Sequence, residues 1–417
     1  MKFRIEHDAL ADVVAWVARA LPSRPVVPVL AGLRLEAGEG LTLSCFDYDL
    51  AATARVAADV AEPGTALVPG RLLAEIIRSL PGQPAEFTAD GDVVSLTCGS
   101  AEFALVSLPL ADYPELPPTP PVAGTIDGGE LAAAVAQVLP AASRDDTLPM
   151  LTAVCLDIRG ESLTLAATDR YRLAVRELQW EPAHPGMRAI ALVPARTLAD
   201  AARTMAPGEL VPVAFTPGDE PAGERDPHPV EGMISFECRG RRLTGRLIGG
   251  EFIRYQSRFP DGYGCRAEMP AAPFIEAVRR VSLVADRASP VRLTFGQDQV
   301  VVEAQTEGRA RAAEAVAASF EGDETTIAFN PHYLLDGLTA AAAGSGPARP
   351  PADQEEGAPA PAAATIRLEF TSPAKPALIT LAGDGGEGPG GEAGEAGAAA
   401  GPPFRYLVVP LRSPTRA

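Results

Sequence analysis

The feature that most constrains the fold of this chain is an internal repeat that returns six times along its 417 residues. Each copy has a short strand, a small or acidic residue at a helix start, and then a helix with apolar residues at i, i+3 and i+4. The copies begin at residues 1, 64, 124, 187, 265 and 324. A fixed period of this kind predicts a tandem architecture in which each copy is one supersecondary unit.

After every helix come two or three short runs with period-two alternation, such as "GLRLEAGEGLTLSCFD" and "AVCLDIRGESLTLAATD", which predict strands joined by tight turns. The unit is therefore βαβββ, and two units make one α+β domain with two helices laid against antiparallel sheet. We expect three such tandem domains, at 1–120, 121–264 and 265–417. The proline clusters "LPPTPP" (116–121) and "RFPDGYG" (258–264) fall at these boundaries.

Three segments do not fit the repeat: 217–232, 344–364 and 384–403. They are rich in Pro, Gly, Ala and acidic residues, which is the composition of disordered loops, and they interrupt strands rather than separate domains. Together they hold twelve acidic residues against Arg225 and Arg349, which is −10 of the formal net charge of −18. The repeated body of the chain is therefore only mildly acidic.

The sequence lacks the patterns that are typical of an active site, a metal site or a membrane-spanning segment. It has no run of 18 apolar residues and no export signal, so we expect a cytoplasmic protein. The five cysteines are far apart and odd in number, which argues against disulfides and zinc. A G-x-G-x-x-G match at Gly383, Gly385 and Gly388 is followed by no amphipathic helix, so no helix start could receive a pyrophosphate. We predict no catalysis, no cofactor and no metal.

Arginines recur on or beside five of the six predicted helices. One interpretation is that they are ordinary solvated helix faces. Recurrence at equivalent places favours another, in which the helices share one surface and their arginines track a phosphate backbone without reading its sequence. The predicted DNA-binding residues are Arg24, Arg71, Arg78, Arg144, Arg196, Arg203, Arg279 and Arg280.

The stretch "LAATDRYRLAVREL" (165–178) has two strand-like flanks around an unusually charged turn. A plain hairpin explains Asp169 at a turn position but not the adjacent Arg170, Tyr171 and Arg172. The last predicted strand, "FRYLVVPLR" (404–412), similarly ends with apolar residues and then Arg412. Two such edges could form one recognition groove.

Several motifs in order resemble one family. The six-fold βαβββ repeat, "SRPVVPVL", "ATDRYRLA", "GGEFIRYQSRFP" and the terminal "YLVVPLR" together resemble the bacterial sliding clamp, the beta subunit of DNA polymerase III. The resemblance covers the whole chain apart from the three insertions. It implies three DNA-clamp domains per chain, a closed homodimeric ring, helices lining a channel for duplex DNA, and sheets outside. It also implies a non-catalytic processivity factor with DNA polymerase, clamp loader and repair proteins as partners.

The resemblance also implies site residues. Arg24 aligns with a channel arginine of the family, and Phe103 and Leu105 align with a ring interface that faces Leu283 of the partner subunit. The family's groove for short clamp-binding peptides aligns with Leu151, Thr168, Arg170, Tyr171, Arg172, Leu173, Ile253, Arg258, Ala374, Pro376, Leu407, Val409, Pro410, Leu411 and Arg412.

The chain departs from the family pattern at the groove. Val409 stands where a methionine is common, Ile253 replaces a frequent proline, and "SPTRA" follows Arg412. These departures leave an alternative open: a divergent second clamp that tolerates a groove-directed small molecule. Another alternative is a scaffold that keeps the groove but does not encircle DNA. The apolar set Phe103, Leu105 and Leu283 favours the ring.

Overall fold

The computed structural model describes residues 1–216, 230–260, 262–286, 289–306, 308–343, 364–382 and 404–411. Within these ranges each repeat contributes one helix of at least eight residues. The helices are α1 (His7–Ala18), α2 (Gly70–Ser79), α3 (Gly128–Val138), α4 (Ala195–Ala202), α5 (Ala271–Ser282) and α6 (Pro331–Ala343).

The described strands follow the predicted order. The first two repeats supply β1 (Lys2–Ile5), β2 (Gly32–Ala37), β3 (Leu41–Phe46), β4 (Leu50–Val56), β5 (Asp59–Glu62), β6 (Gly64–Pro69), β7 (Ala85–Asp90), β8 (Val93–Cys98) and β9 (Ala101–Val106). The next two supply β10 (Val122–Asp127), β11 (Ala153–Arg159), β12 (Ser162–Thr168), β13 (Arg172–Gln179), β14 (Glu181–Pro182), β15 (Arg188–Pro194), β16 (Leu210–Phe215), β17 (Met233–Cys238) and β18 (Arg241–Arg246). The last two supply β19 (Cys265–Pro270), β20 (Val291–Phe295), β21 (Gln299–Thr306), β22 (Ala310–Ala317), β23 (Ser319–Glu321), β24 (Thr325–Phe329), β25 (Thr365–Phe370), β26 (Ala377–Leu381) and β27 (Arg405–Val408).

The helices are amphipathic, as the apolar spacing predicts. In α2, Leu73, Ile76 and Ile77 are buried, whereas Arg71 and Arg78 are exposed on the opposite face. Each repeat therefore lays the apolar side of its helix on the sheet and presents a polar side away from it. The predicted βαβββ unit and the α+β class are confirmed.

The strands form four antiparallel sheets, and two of them run across domain junctions. One nine-stranded sheet joins the first and central domains where β18 pairs with β4. The other joins the central and third domains where β27 pairs with β13, with Leu173 opposite Leu407. On its other side β27 pairs with β26, so it is an interior strand and not an open edge.

The three predicted insertions fall largely outside the described residues, at 217–229, 344–363 and 383–403, and the glycine motif at 383–388 lies there too. The boundary of the first insertion needs a correction. Val230 is buried, and its backbone N–H donates to Ile190 O at 2.7 Å. Residues 230–232, which the prediction placed in the insertion, are therefore attached to β15 through an apolar side chain and a backbone hydrogen bond.

Candidate functional site

The turn 168–172 joins β12 to β13, and two of its own side chains fix its backbone. Asp169 Oδ1 accepts hydrogen bonds from the N–H groups of Tyr171 and Arg172 at 3.0 and 3.1 Å. Thr168 Oγ1 donates to Arg172 O at 2.6 Å and accepts from Arg170 N at 3.2 Å. These bonds hold Arg170 at φ 79°, a left-handed conformation that residues other than glycine seldom adopt. Thr168 and Asp169 therefore set the shape of the turn.

The first repeat contains the same turn with different side chains. Asp47 Oδ1 accepts from the N–H groups of Asp49 and Leu50 at 3.2 and 2.8 Å, and Tyr48 has φ 74°. The backbone of the turn thus occurs in both copies, whereas Arg170 and Arg172 of the third copy stand where the first copy has Tyr48 and Leu50. Comparing the sequences of the two copies would have predicted the shared turn, because each copy has Asp at the same position.

Arg172 turns away from solvent and links the central domain to the third. Its Nε donates to Asp169 Oδ2 at 3.0 Å, and its Nη1 pairs with Asp336 on α6. Its guanidinium carbon lies 4.4 Å from the centre of the Tyr333 ring, a cation–π contact. Only 11% of the Arg172 side chain is exposed. It lines part of the neighbouring cavity, but its guanidinium N–H groups mostly bond to other side chains of the protein.

A cavity of about 690 Å³ lies where the central and third domains meet. Apolar side chains from β13 and β27, including Leu173 and Leu407, form part of its wall, and Arg170 and Arg258 bring positive charge to it. The complete wall is Leu151, Thr168, Arg170, Arg172, Leu173, Ile253, Ser257, Arg258, Pro260, Thr371, Lys375, Pro376, Leu407 and Val409.

One side of this cavity is built by the segment between β18 and β19, residues 247–264, which we call the strap. The strap crosses the outer face of the second nine-stranded sheet and buries Tyr255 against Cys155, Val175 and Leu192. Phe259 receives the Arg405 guanidinium at 4.5 Å from its ring centre. The strap is thus both the connection between two domains and a wall of the cavity.

The structure brings ten of the fifteen predicted groove residues into this one wall. Tyr171 is half exposed beside it and stacks on Tyr333, with ring centres 6.0 Å apart. Ala374 and Pro410 are chain neighbours of wall residues, Leu411 lies outside the wall with its backbone N–H donating to Ala328 O at 2.7 Å, and Arg412 lies outside the described residues. The sequence missed Ser257, Pro260, Thr371 and Lys375. The first two belong to the proline-containing strap, in which the family resemblance assigns only Ile253 and Arg258 to the groove.

All eight predicted DNA-binding arginines are exposed. A concave pocket of about 650 Å³ beside α1, α2 and α4 brings some of them together. It is lined by Arg71, Arg78 and Arg196, together with Arg19. Arg71 also has a local role, because its Nη2 donates to Leu21 O at 3.2 Å and to Pro22 O at 3.1 Å. Helices α1, α2 and α4 therefore border one arginine-lined surface, and the other five predicted arginines lie outside its lining.

Some of these arginines already have acidic partners. Arg203 pairs with Asp200 at 2.8 Å, and Arg279 pairs with Glu276 within α5. Arg280 donates twice to Glu314, at 3.1 and 2.6 Å, and this bond lowers the pKa of that carboxyl. Within the described parts of the chain, Arg24, Arg78 and Arg144 have no ion-pair partner. Their charge is the most available to a phosphate.

The two sheets at the ends of the chain contain strands of one domain only: β5-β1-β7-β8-β9 in the first domain and β22-β21-β20-β24 in the third. Leu283, just after α5, is 81% exposed, as a residue at an unoccupied interface would be. Leu105 is different: it is 3% exposed and belongs to the core of its own domain, because alternation along β9 turns its side chain inward. Its neighbour Val106 is exposed instead.

The described residues hold no group of three or more His, Cys, Asp or Glu side chains placed to bind a metal. The cysteines are free thiols, and burial raises the pKa of Cys45 to about 12, so it remains protonated at neutral pH. Among the described helices none is both long and apolar enough to cross a membrane.

Models of one protein family match most of the chain, up to residue 344. The N-terminal, central and C-terminal domains of the DNA polymerase III beta subunit match residues 1–117, 125–253 and 256–344. The chain belongs to this family. As a sliding clamp it is a non-catalytic processivity factor: a ring-shaped homodimer that encircles duplex DNA and tethers polymerase and repair proteins. In a bacterium such a clamp acts on chromosomal DNA.

Individual relatives extend the comparison. The beta sliding clamp of Streptomyces coelicolor is 46% identical over 99% of this chain and 99% of its own length. The beta sliding clamp homolog GriR of Streptomyces muensis is 42% identical, covering 81% of this chain and 88% of that protein. The solved sliding clamp of Pseudomonas aeruginosa bound to griselimycin shares the fold, with a TM-score of 0.80, 23% identity and coverage of 99% of this chain and 100% of that one.

Proposed function

We propose that the cavity between the central and third domains is the groove that receives the short clamp-binding peptides of polymerases, the clamp loader and repair proteins. The observation that carries this proposal is the composition of the wall: apolar Leu151, Leu173 and Leu407 lie beside the charged Arg170 and Arg258. Such a wall buries the aliphatic and aromatic anchors of a peptide while arginines hold its polar end. A volume of about 690 Å³ is in the range of protein ligand sites.

A labelled clamp-binding peptide from the same organism's DNA polymerase III tests the groove by titration. Ile253→Asp places a charge in the wall, and we expect peptide affinity to fall by roughly tenfold or more, since an unpaired charge must then be desolvated on binding. Val122→Asp, at an exposed valine of β10 outside the cavity, is the matched control. Equal affinity of both variants and the parent would show that the peptide binds elsewhere. Deleting residues 404–417 cannot replace the Ile253→Asp variant in this test. The deletion removes β27, an interior strand, and would disrupt the sheet as well as the groove.

For the ring we propose that the arginine-bearing helix surface lines the DNA channel. We place Leu283 and the exposed Val106 at the subunit interface, with Phe103 and Leu105, whose side chains pack against the core of the first domain, supporting it from within. The open sheets at the two ends of the chain and the exposure of Leu283 support this placement. The test is retention on nicked circular DNA with a clamp loader and ATP. Retention that is lost when the circle is linearised supports a topological ring. Retention that survives linearisation but disappears in salt would favour the non-encircling scaffold.

A second candidate is a divergent clamp with reduced sensitivity to a groove-directed inhibitor. Val409 lies in the cavity wall and is shorter and stiffer than the methionine that the family resemblance implies there. The similarity to the beta sliding clamp homolog GriR supports the divergent-copy part of this candidate. Val409→Met is expected to tighten griselimycin binding about two- to fivefold, measured by calorimetry. Parent affinity equal to that of the Pseudomonas aeruginosa clamp would remove this candidate.

We also propose the domain boundaries 1–120, 121–264 and 265–417 and a cytoplasmic location. The supporting observations for the boundaries are the gaps between strands, since β9 ends at Val106 and β10 begins at Val122, while β18 ends at Arg246 and β19 begins at Cys265. On these boundaries the strap lies at the end of the central domain. Limited proteolysis that, apart from cuts in the three insertions, cuts within 107–121 and 247–264 and not inside the domains would support them.

A further inference from the structure

A buried carboxylate lies beneath the strap. Asp157, on β11, has 3% of its side chain exposed, and among the described residues it is the one Asp or Glu that is buried. Its Oδ2 accepts from Tyr255 Oη at 2.9 Å and from Gln256 Nε2 at 3.1 Å. Arg159 donates to both of its oxygens, at 3.0 and 3.2 Å. A carboxylate is tolerated in such a place only when it is paired and hydrogen-bonded, and these four bonds meet that condition.

The repeat by itself does not bury this position. In the first repeat Glu36 occupies the same place: it lies opposite Thr42 across β2 and β3, as Asp157 lies opposite Thr164 across β11 and β12. Glu36 is exposed and pairs only with Arg34, at 3.0 Å. The difference is the strap, which covers the outer face of the sheet at Asp157.

The linker between the first and central domains, residues 107–121, is attached to its sheet differently from the strap. Its Tyr113 hydroxyl accepts from the backbone N–H of Phe46 at 2.7 Å and donates to Phe46 O at 3.4 Å, so among the described residues it bonds to the backbone and not to a carboxylate. In the strap, by contrast, the tyrosine and the next residue both point to one carboxylate. Burial and then the charge of Asp157 raise the pKa of Tyr255 well above its usual value, so its hydroxyl stays protonated and remains a donor. The attachment through Asp157 is therefore particular to the strap.

The strap residues that reach Asp157 lie between residues of the groove wall. Ile253 precedes Tyr255, and Ser257, Arg258 and Pro260 follow Gln256; these four line the cavity. A 3-10 turn over Gln256–Arg258 couples the two sets, since Arg258 N donates to Tyr255 O at 3.0 Å. Moving Tyr255 away from the sheet would consequently move the wall with it.

We propose that Asp157 is a positioning residue that holds the strap in place as one wall of the groove, although it does not itself line the cavity. This inference rests on the proposed peptide-binding function. Without the carboxylate the strap retains its apolar contacts and the Phe259 contact but loses the bonds that fix the register of its 3-10 turn. The groove then widens on one side, while the helices and the ring surfaces are unaffected.

The test is peptide titration of Asp157→Asn in the full-length protein, with hydrogen exchange of the strap followed alongside. Asparagine keeps the size of the side chain but loses its charge and one acceptor. We expect peptide affinity to fall roughly tenfold and exchange to increase over 250–259, with the dimer unchanged by size-exclusion chromatography. Gln256→Ala removes one donor at an exposed residue that the fold does not need, and should weaken binding in the same direction by a smaller factor.

Gln137→Ala is the matched control. Gln137 is buried at the same domain junction, where its Nε2 donates to Ala340 O at 2.9 Å and joins α3 to α6, far from the strap. The Gln137→Ala variant should have a lower melting temperature than the parent and the same peptide affinity. Asp157→Asn and Gln256→Ala variants that bind within twofold of the parent would overturn the inference. A parent protein that binds no peptide would instead refute the proposed groove.

Discussion

Arg172 and Asp336 form an ion pair that joins the turn of the central domain to helix α6 of the third. The same guanidinium also bonds Asp169 and lies against the Tyr333 ring. An arginine that the sequence assigns to peptide recognition is therefore largely engaged in holding two domains together. Peptide recognition and the domain junction share this residue, so changes that move Arg172 itself are expected to reach the groove.

Replacing Asp336 tests this link. Asp336→Asn should lower the free energy of unfolding by about 1 kcal/mol, since the pair is charge-assisted but the Asp336 side chain is partly exposed. Urea denaturation measures the change. Asp200→Asn, which removes the partner of the exposed Arg203, should cost less. Equal losses in the two variants would mean that Arg172 is held adequately without Asp336.

Close packing of α6 on β27 makes Gly337 sensitive to substitution. A Cβ at Gly337 would lie 2.4 Å from the ring of Tyr406, which is fully buried, so Gly337→Ala forces α6 away from the strand. We expect a loss of about 1–3 kcal/mol of stability, the usual cost of overpacking. Thermal unfolding measures it. Gly82→Ala, where a Cβ meets nothing within 4 Å, should be neutral or slightly stabilising.

The arginines differ in how available their charge is, and salt dependence should reveal the difference. Arg78→Ala removes a charge that has no ion-pair partner among the described residues, and should reduce the slope of log K against log salt for duplex DNA by up to about 0.9. Arg203→Ala should change the slope less, because Asp200 already neutralises that arginine. Fluorescence anisotropy with a labelled duplex over a salt series gives both slopes. Equal changes would show that the ion pair opens when DNA is present.

Leu283 is expected to be required for ring closure. Leu283→Asp places a charge at an apolar surface residue and should convert the dimer to monomer, because the charge would be desolvated on association. Analytical ultracentrifugation distinguishes the two states. Leu210→Asp, at another exposed leucine, should leave the dimer intact. A Leu283→Asp variant that remains dimeric would place the interface elsewhere.

Local patterns predicted much of the groove. The turn at Thr168 and Asp169 and the apolar run around Leu407 were recognisable because each feature lies within a few consecutive residues. The strap was harder, since its contribution depends on lying across a sheet whose strands are distant in sequence. No short pattern distinguishes the buried Asp157 from the exposed Glu36, although both occupy the same place in their repeats. The inward direction of Leu105 likewise depends on which face of β9 meets the core.

The sequence by itself determined the six βαβββ units and the class of the fold, because periodicity of apolar residues decides helix and strand locally. It also determined the backbone of the two equivalent turns, through Asp47 and Asp169. Only the tertiary structure decided which strands join the domains, where Arg172 directs its donors, and what lies beneath the strap. These depend on pairings between residues far apart in the chain, whose energies arise only when the packed surfaces exclude water.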